Sequence, residues 1–180
     1  LDISNTVTQN VTRRDDGKIL VGAYGDVTLG YNQMLYLGIT GRNDWSSTLP
    51  QNNNSFFYPS ANLGFIASEV LKANWLSFLK LRTSLARGAN DAPTQSLNNI
   101  YIKNDPNIFG IPRFSQSTLL RNPNLKPERT SEIEAGFESL FLNNLIGLDF
   151  SYYSRLSEDQ IIQVPVTTAT GYTFKLDNLG

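Results

Sequence analysis

The chain has 180 residues, 40% of them hydrophobic, which is enough for one domain, or at most two small ones, with a core. Fifteen Lys and Arg against sixteen Asp and Glu leave a net charge of −1, so no cationic field attracts nucleic acid. Cys and His are absent, which removes thiolate and imidazole chemistry, disulfides and soft-metal sites. We therefore predict no cofactor, no metal site and no nucleic-acid partner.

The main signal along the chain is a strict alternation of apolar with polar or small residues, which is typical of β-strands. It recurs about seven times and predicts strands over 18–31, 34–42, 58–68, 80–88, 130–140, 145–155 and 160–166. Tight turns are expected at 31–33 and at Asn143-Asn144. A short helical turn is predicted near 69–79, with Ser68 as its N-cap. We predict a turn rather than a calcium loop at Asp15-Asp16-Gly17.

Connections of different lengths alternate between these predicted strands. The short ones are the two tight turns, and the long ones are 43–55 and 89–126, with 69–79 between the two in length. Short turns on one side and long loops on the other are typical of a transmembrane β-barrel. The sequence thus predicts an all-β, antiparallel, up-and-down transmembrane β-barrel segment. Alternation alone leaves a soluble β-sandwich carbohydrate-binding module, or a lipocalin-like barrel, as the alternative.

Several segments resemble one family of outer-membrane receptors. Residues 121–130 (RNPNLKPERT), continued by EIEAGFE at 132–138, are similar to a specific stretch of TonB-dependent receptors. LGITGRNDWSSTLP at 37–50, SFFYPSANLGF at 55–65 and LKLRTSLARG at 79–88 resemble the SusC/RagA subgroup in the same order. Residues 149–155 and 164–171 are similar too, though more weakly.

The resemblance implies an outer-membrane location in a Gram-negative bacterium and a transport function. Such receptors carry a plug domain inside a 22-stranded barrel, bind the TonB complex, and work beneath a SusD-like surface lipoprotein that captures glycans or peptides. The plug and the TonB box have no counterpart in residues 1–180, which we expect to be a partial barrel domain. At about 26 residues per strand, a complete wall needs roughly 570 residues. We expect no enzymatic activity, and we expect that the segment cannot be stable as an isolated monomer.

Eleven polar or aromatic residues are candidates for facing the lumen or contacting the oligosaccharide or peptide substrate. They are Tyr24, Asp26, Tyr36, Arg42, Trp45, Arg82, Glu132, Glu134, Glu138, Asp149 and Tyr153. Carboxylates at i and i+2, such as Glu132 and Glu134, have a spacing that an inverting glycosidase uses, but a polar lumen explains them more simply. The rings of Tyr24, Tyr36, Trp45 and Tyr153 can stack on sugars, although an interfacial aromatic belt is the favoured interpretation for the three tyrosines and for 56–58.

The opposite positions are expected to face outer-membrane lipid. The turn at Asn143-Asn144 switches the parity of the apolar positions from odd to even. The predicted lipid-facing residues are Val21, Val27, Leu35, Leu37, Ile39, Leu63, Phe65, Leu81, Leu85, Ile133, Phe137, Ile146, Leu148 and Phe150. The loops 43–55 and 89–126 should then lie on the outer side, where they meet the lipoprotein or cover the lumen entrance.

Overall fold

A computed structural model describes residues 17–108 and 111–180 of the chain. Asp15 and Asp16, where a turn was predicted, lie outside these residues. Eleven strands occur in the described ranges: β1 Leu20–Tyr31, β2 Leu35–Ser46, β3 Ser55–Ile66, β4 Leu76–Asn90, β5 Tyr101–Ile108, β6 Ile111–Gln116, β7 Leu119–Leu120, β8 Glu128–Phe141, β9 Ile146–Glu158, β10 Gln160–Pro165 and β11 Phe174–Leu179. No helix in this part of the chain is long and apolar enough to cross a membrane.

Six strands form one antiparallel sheet in the order β1-β2-β3-β4-β8-β9. Neighbours in this sheet follow one another along the chain, except that β5, β6 and β7 are inserted between β4 and β8. The sheet is therefore an open, up-and-down arrangement, as predicted, and it is built from the first six predicted strands. The seventh, β10, pairs instead with β11 in a three-stranded sheet that also contains β7.

Three regions differ from the sequence prediction. The segment 89–126 was expected to be irregular, but it contains the β5–β6 hairpin and β7, and β11 was not predicted. The helical segment is one 3-10 turn, Ala67–Glu69, without a side-chain N-cap. Ser68 therefore lies inside that turn, and Leu76 to Leu79 belong to β4. A strand forms there in place of the predicted helix, because Leu81 and Leu85 of the same strand pair with β8.

The tight turns have the predicted chemistry. Asn32 and Gln33 both have positive φ, 48° and 55°, and the Met34 N–H donates to the Tyr31 carbonyl at 3.0 Å. Two consecutive residues with positive φ form a turn whose twist matches that of the strands it joins. Asn143 and Asn144 also have positive φ at the β8–β9 turn, because asparagine tolerates this conformation better than most residues do.

The register of the sheet divides its side chains between two faces. Ile39 pairs with Val27 on one side and with Ala61 on the other, and the row continues through Leu85 to Ile133. Phe137 pairs with Phe150, so the parity switch after Asn143-Asn144 is confirmed. All fourteen residues predicted to face lipid lie on this one face, which we call the apolar face.

A small core lies at the end of the sheet where the long connections meet. The buried residues are Leu49, Phe56, Ala92, Leu125 and Leu176. They come from the 47–54 connection, β3, the 91–127 connection and β11, and we call these connections, together with β10 and β11, the loop layer. Burial thus concentrates in the loop layer, while the apolar face of the sheet stays exposed.

Candidate functional site

The other side of the six-stranded sheet, which we call the polar face, carries the even positions of β1–β4 and β8 and the odd positions of β9. Ten of the eleven candidate residues lie on it. They are Tyr24, Asp26, Tyr36, Arg42, Arg82, Glu132, Glu134, Glu138, Asp149 and Tyr153. The strand register therefore gathers residues that are up to about 130 positions apart in sequence onto one surface.

An ion-pair cluster around Arg82 links three strands of the polar face. The Arg82 guanidinium donates to both carboxylate oxygens of Asp149, at 2.7 and 3.2 Å, and to the Ser151 hydroxyl at 2.6 Å. Glu134 lies 3.9 Å away. Arg82 is on β4 and Asp149 on β9, so the side chain crosses the strand between them. A bidentate pair of this kind fixes the orientation of both groups.

Gly136 on β8 makes this crossing possible. A Cβ at that position would lie 2.6 Å from the Phe150 carbonyl oxygen and 3.1 Å from the Arg82 Nε. The carbonyl belongs to the backbone of the neighbouring strand and cannot move aside. Because glycine has no side chain, it leaves room for the Arg82 guanidinium to reach Asp149.

A second cluster lies nearer to the loop layer, around Asp44. The Arg42 Nε donates to Asp44 at 2.8 Å, the Tyr58 hydroxyl donates to the same carboxylate, and the Arg42 guanidinium lies 5.9 Å from the centre of the Tyr58 ring. Asp44 is only 4% exposed. Asp44 and Tyr58 were not among the eleven candidates, although Asp44 follows Arg42 by two positions and so had to share its face. Tyr58 was predicted to belong to the aromatic belt, but it pairs with Arg42 on the polar face.

The remaining candidates divide into paired and open side chains. Thr40 donates to Asp26 at 3.1 Å, and Arg155 pairs with Glu132 at 2.6 Å. Tyr24 and Tyr153 are 79% and 67% exposed, so their rings are open to a ligand. In the described residues, no group of three or more acidic, His or Cys side chains could hold a metal ion.

Trp45 lies on the other face. It pairs with Val21 and Ser55, and its odd position in β2 puts it in line with Leu37 and Ile39 on the apolar face. The strand register therefore contradicts the prediction that Trp45 faces the lumen. Trp45 shares this face with Phe57, which is 63% exposed, and an exposed aromatic at the end of an apolar strand face is typical of an interfacial belt.

The same register argues against a belt role for other aromatics. Tyr24, Tyr36 and Tyr153 lie on the polar face, so their rings do not share the surface of the leucines and phenylalanines. Phe56 is buried in the core of the loop layer, with its ring 6.1 Å from that of Tyr58. The sequence missed this because the loops that cover Phe56 come from distant parts of the chain.

The NPNLKPE segment at 122–128 holds the loop layer together through hydrogen bonds. Leu125 is fully buried, and its carbonyl accepts a hydrogen bond from Asn53 at 3.2 Å. Asn178 of β11 accepts from the Lys126 N–H and donates to the Lys126 carbonyl, both at 2.9 Å. Glu128 accepts from the Ile161 N–H of β10 at 2.9 Å. The motif that carries the family resemblance thus joins the long connection to β10 and β11.

Asp91, directly after β4, ties the start of β1 to the 47–54 connection. It pairs with Lys18 at 2.7 Å and accepts hydrogen bonds from the hydroxyls of Ser46 and Thr48. Partial burial works against its charge, but the Lys18 ammonium and the two hydroxyls outweigh that effect and hold the pKa of Asp91 below its ordinary value. The carboxylate is therefore charged whenever the loop layer is folded at neutral pH.

A single antiparallel sheet with one exposed apolar face, one polar face and long connections at one end is typical of the wall of a transmembrane β-barrel. The chain belongs to the TonB dependent receptor-like, beta-barrel family, whose model matches residues 1–180. The soluble β-sandwich alternative is therefore wrong, since the family is a barrel family.

Curated relatives and solved structures agree with this membership. TonB-dependent receptor P26 of Formosa agariphila is 28% identical over 180 residues, covering 96% of this chain and 18% of the relative. TonB-dependent receptor P3 of the same organism is 28% identical over 173 residues, covering 89% and 17%. The chain thus spans less than a fifth of the length of these relatives.

Among solved structures, the RagAB peptide transporter matches with a TM-score of 0.81 and 25% identity, covering 91% of this chain and 18% of that one. The siderophore receptor PirA from Pseudomonas aeruginosa matches with a TM-score of 0.58 and 16% identity, covering 89% and 28%, a likeness of fold alone. The chain is a SusC/RagA-like segment of a TonB-dependent receptor barrel, as its motifs suggested.

Proposed function

We propose that this chain is part of the wall of an outer-membrane importer for peptide or glycan nutrients in a Gram-negative bacterium. The observation that carries the proposal is the division of one sheet into an exposed apolar face and a charged polar face. Ile39, Leu85, Ile133 and Phe150 are all about half exposed. In water, such a continuous apolar surface costs free energy, whereas lipid hydrocarbon removes that cost.

The polar face is then the lumenal side of the wall. Its carboxylates are mostly engaged with arginines or hydroxyls, as Glu132 is with Arg155 and Asp149 with Arg82. Charges that are paired in this way suit a water-filled passage and not acid–base catalysis, which needs a carboxyl group free to exchange a proton. We therefore assign the ten polar-face candidates to lumenal or substrate contact, and we propose no enzymatic role.

The loop layer is assigned to the outer side of the membrane, because long connections of outer-membrane barrels are extracellular. There it would meet a SusD-like lipoprotein. Since the solved structural neighbours include the RagAB peptide importer, peptides are the first substrate class to test, with oligosaccharides as the second. Engagement of the TonB complex would fall to a plug region outside these residues.

Cysteine labelling in the full-length receptor tests the assignment of the two faces. Neighbouring positions give matched pairs: Ile39→Cys with Thr40→Cys on β2, and Leu85→Cys with Ser84→Cys on β4. We expect a lipid-soluble maleimide to label the first member of each pair and a charged, water-soluble maleimide to label the second. Equal labelling of both members by the water-soluble reagent would overturn the membrane-wall assignment.

A hairpin deletion tests the role of the loop layer in uptake. Replacing residues 101–116 with a short glycine linker removes β5 and β6, and the hydrogen bond from the Ser117 N–H to the Ile100 carbonyl marks a natural closing point. We expect the barrel to assemble, while peptide uptake or lipoprotein association decreases. Normal uptake and normal association would show that the hairpin is only a spacer.

A further inference from the structure

A cleft opens on the apolar face near the loop layer, where β3 and β4 stop pairing. Their ladder ends at Ser60 and Ala86, although β3 begins at Ser55 and β4 continues to Asn90. The next residue of β3 towards the loop layer is Pro59, which has no N–H to donate to the ladder. The two strands therefore separate, and a cavity of about 360 Å³ lies between them.

Two arginines line this cleft from the apolar side. Arg87 pairs with Ser131, and Arg129 pairs with Ala89, so both occupy odd positions of the apolar face. Both are exposed, and neither guanidinium has a hydrogen-bond or ion-pair partner among residues 17–108 and 111–180. Glu158 pairs with Arg129 across the strands without forming a salt bridge. At the rim of a barrel wall, arginine is tolerated on the lipid side, because its guanidinium can reach the anionic head groups at the membrane surface.

An apolar groove of about 430 Å³ adjoins the cleft. Arg87 and Ser131 line both cavities. The floor of the groove is Ala61, whose short side chain lies between the longer ones of Ile39 and Leu85 on the neighbouring strands. Pro59 and Ile133 complete the apolar lining. An apolar channel that opens beside two guanidinium groups has the shape and charge of an amphiphile with an anionic head.

We propose that this cleft and groove bind a phosphorylated lipid of the outer leaflet, with a phosphate at Arg87 and Arg129 and an acyl chain over Ala61. The proposal rests on the proposed function, which puts the apolar face in lipid and the loop layer outside. Arginine matches phosphate because its planar fork donates two parallel hydrogen bonds. An acyl chain in the groove would contact the fixed surface of a β-strand, and it would lose contacts with the mobile acyl chains of other lipids.

Native mass spectrometry of the full-length receptor in mild detergent tests the head-group site. The probes are lipid A carrying its phosphates and the same lipid after dephosphorylation. We expect R87Q/R129Q to weaken retention of the phosphorylated lipid by about tenfold or more, since two charge-assisted contacts are lost. R87K/R129K should retain part of the binding, and K72Q, which removes a charge at the short-turn end, should retain all of it.

A second pair of variants tests the groove without changing charge. Ala61→Leu fills the depression, whereas Ala135→Leu adds the same volume elsewhere on the apolar face, between Thr83 and Tyr152. Both leucines suit a lipid-facing position, so both receptors should assemble. We expect only Ala61→Leu to reduce lipid retention.

The outcomes separate the two proposals. If the cysteine pairs label as expected but lipid retention is the same in all variants, the lipid site is wrong and the transporter assignment stands. If inorganic phosphate displaces the lipid at equal concentration, or the dephosphorylated lipid binds equally well, the site does not recognise a phosphorylated lipid. If the cysteine pairs fail, the membrane-wall assignment is wrong, whatever the lipid measurements give.

Discussion

In the six-stranded sheet, apolar side chains such as Ile133 and Phe150 remain more than half exposed, whereas in the loop layer Leu125 is fully buried. The sheet is held by ladders of backbone hydrogen bonds, and its side chains are divided between two faces. The loop layer has a small core and is fastened by side-chain amides such as that of Asn178. The two regions thus match the surroundings proposed for them, lipid for the apolar face of the sheet and water for the loop layer.

The two regions differ because their backbone N–H and C=O groups find hydrogen-bond partners in different ways. A lipid environment requires that every backbone polar group be paired within the protein, which regular strands achieve. The irregular connections of the loop layer do not meet this requirement by ladders, so side chains such as Asn53 and Glu128 supply the missing partners. The comparison predicts that a substitution in one region destabilises that region and leaves the other folded.

The largest effect is expected for Phe137→Arg in the full-length receptor. Phe137 lies in the middle of the apolar run of β8, with its ring 5.8 Å from that of Phe150. A charge there should cost about 2–4 kcal/mol of the free energy of unfolding, measured by urea titration in lipid vesicles. Ser84→Arg on the polar face should cost much less, and equal losses for both would remove the distinction between the faces.

Leu125→Ala should destabilise the loop layer and leave the sheet folded. Truncating a fully buried leucine costs about 2–3 kcal/mol where neighbouring loops can relax into the cavity. Hydrogen exchange should therefore speed up in residues 91–127 and in β11, with β2 and β4 unaffected. Leu145→Ala at the β8–β9 turn, where the side chain is 79% exposed, is the control. Faster exchange throughout the sheet would mean that the two regions fold as one unit.

Gly136→Ala should strain the polar face by about 1–3 kcal/mol. The new methyl group would lie too close to the Phe150 carbonyl and would push Arg82 away from Asp149. Gly88→Ala, where a Cβ meets nothing within 4 Å, is the matched control within β4. The two variants can be compared by urea titration, and equal midpoints would show that the crossing of Arg82 over β8 does not require glycine.

The smallest effect is a pH dependence of the loop layer. Because its pKa is lowered in the folded chain, the Asp91 carboxylate contributes stability that is fully present above its unfolded pKa of about 3.9. That contribution is lost as the pH falls through the lower, folded pKa. Limited proteolysis of residues 47–54 should accelerate in this acidic window. Asp91→Asn should abolish the acceleration, and an unchanged profile in that variant would assign it to other carboxylates.

The sequence by itself determined the sheet. Period-two alternation places every second side chain on one face, so the fourteen apolar positions and the ten polar candidates followed from spacing and from the two asparagine turns. The parity switch between Phe137 and Phe150 needed no knowledge of packing. Trp45 shows how a residue is misplaced when its chemistry is considered before its parity.

Only the tertiary structure decided the loop layer, the ion-pair clusters and the cleft. The core around Leu125 combines four stretches of chain that no local pattern connects, and β11 is recognisable as a strand only once it pairs with β10. Arg82 reaches Asp149 across 67 positions, by way of a glycine that no periodicity singles out. Where the physics is local, as in a strand, sequence suffices. Where distant segments share one partner, the contact exists only after the chain has folded.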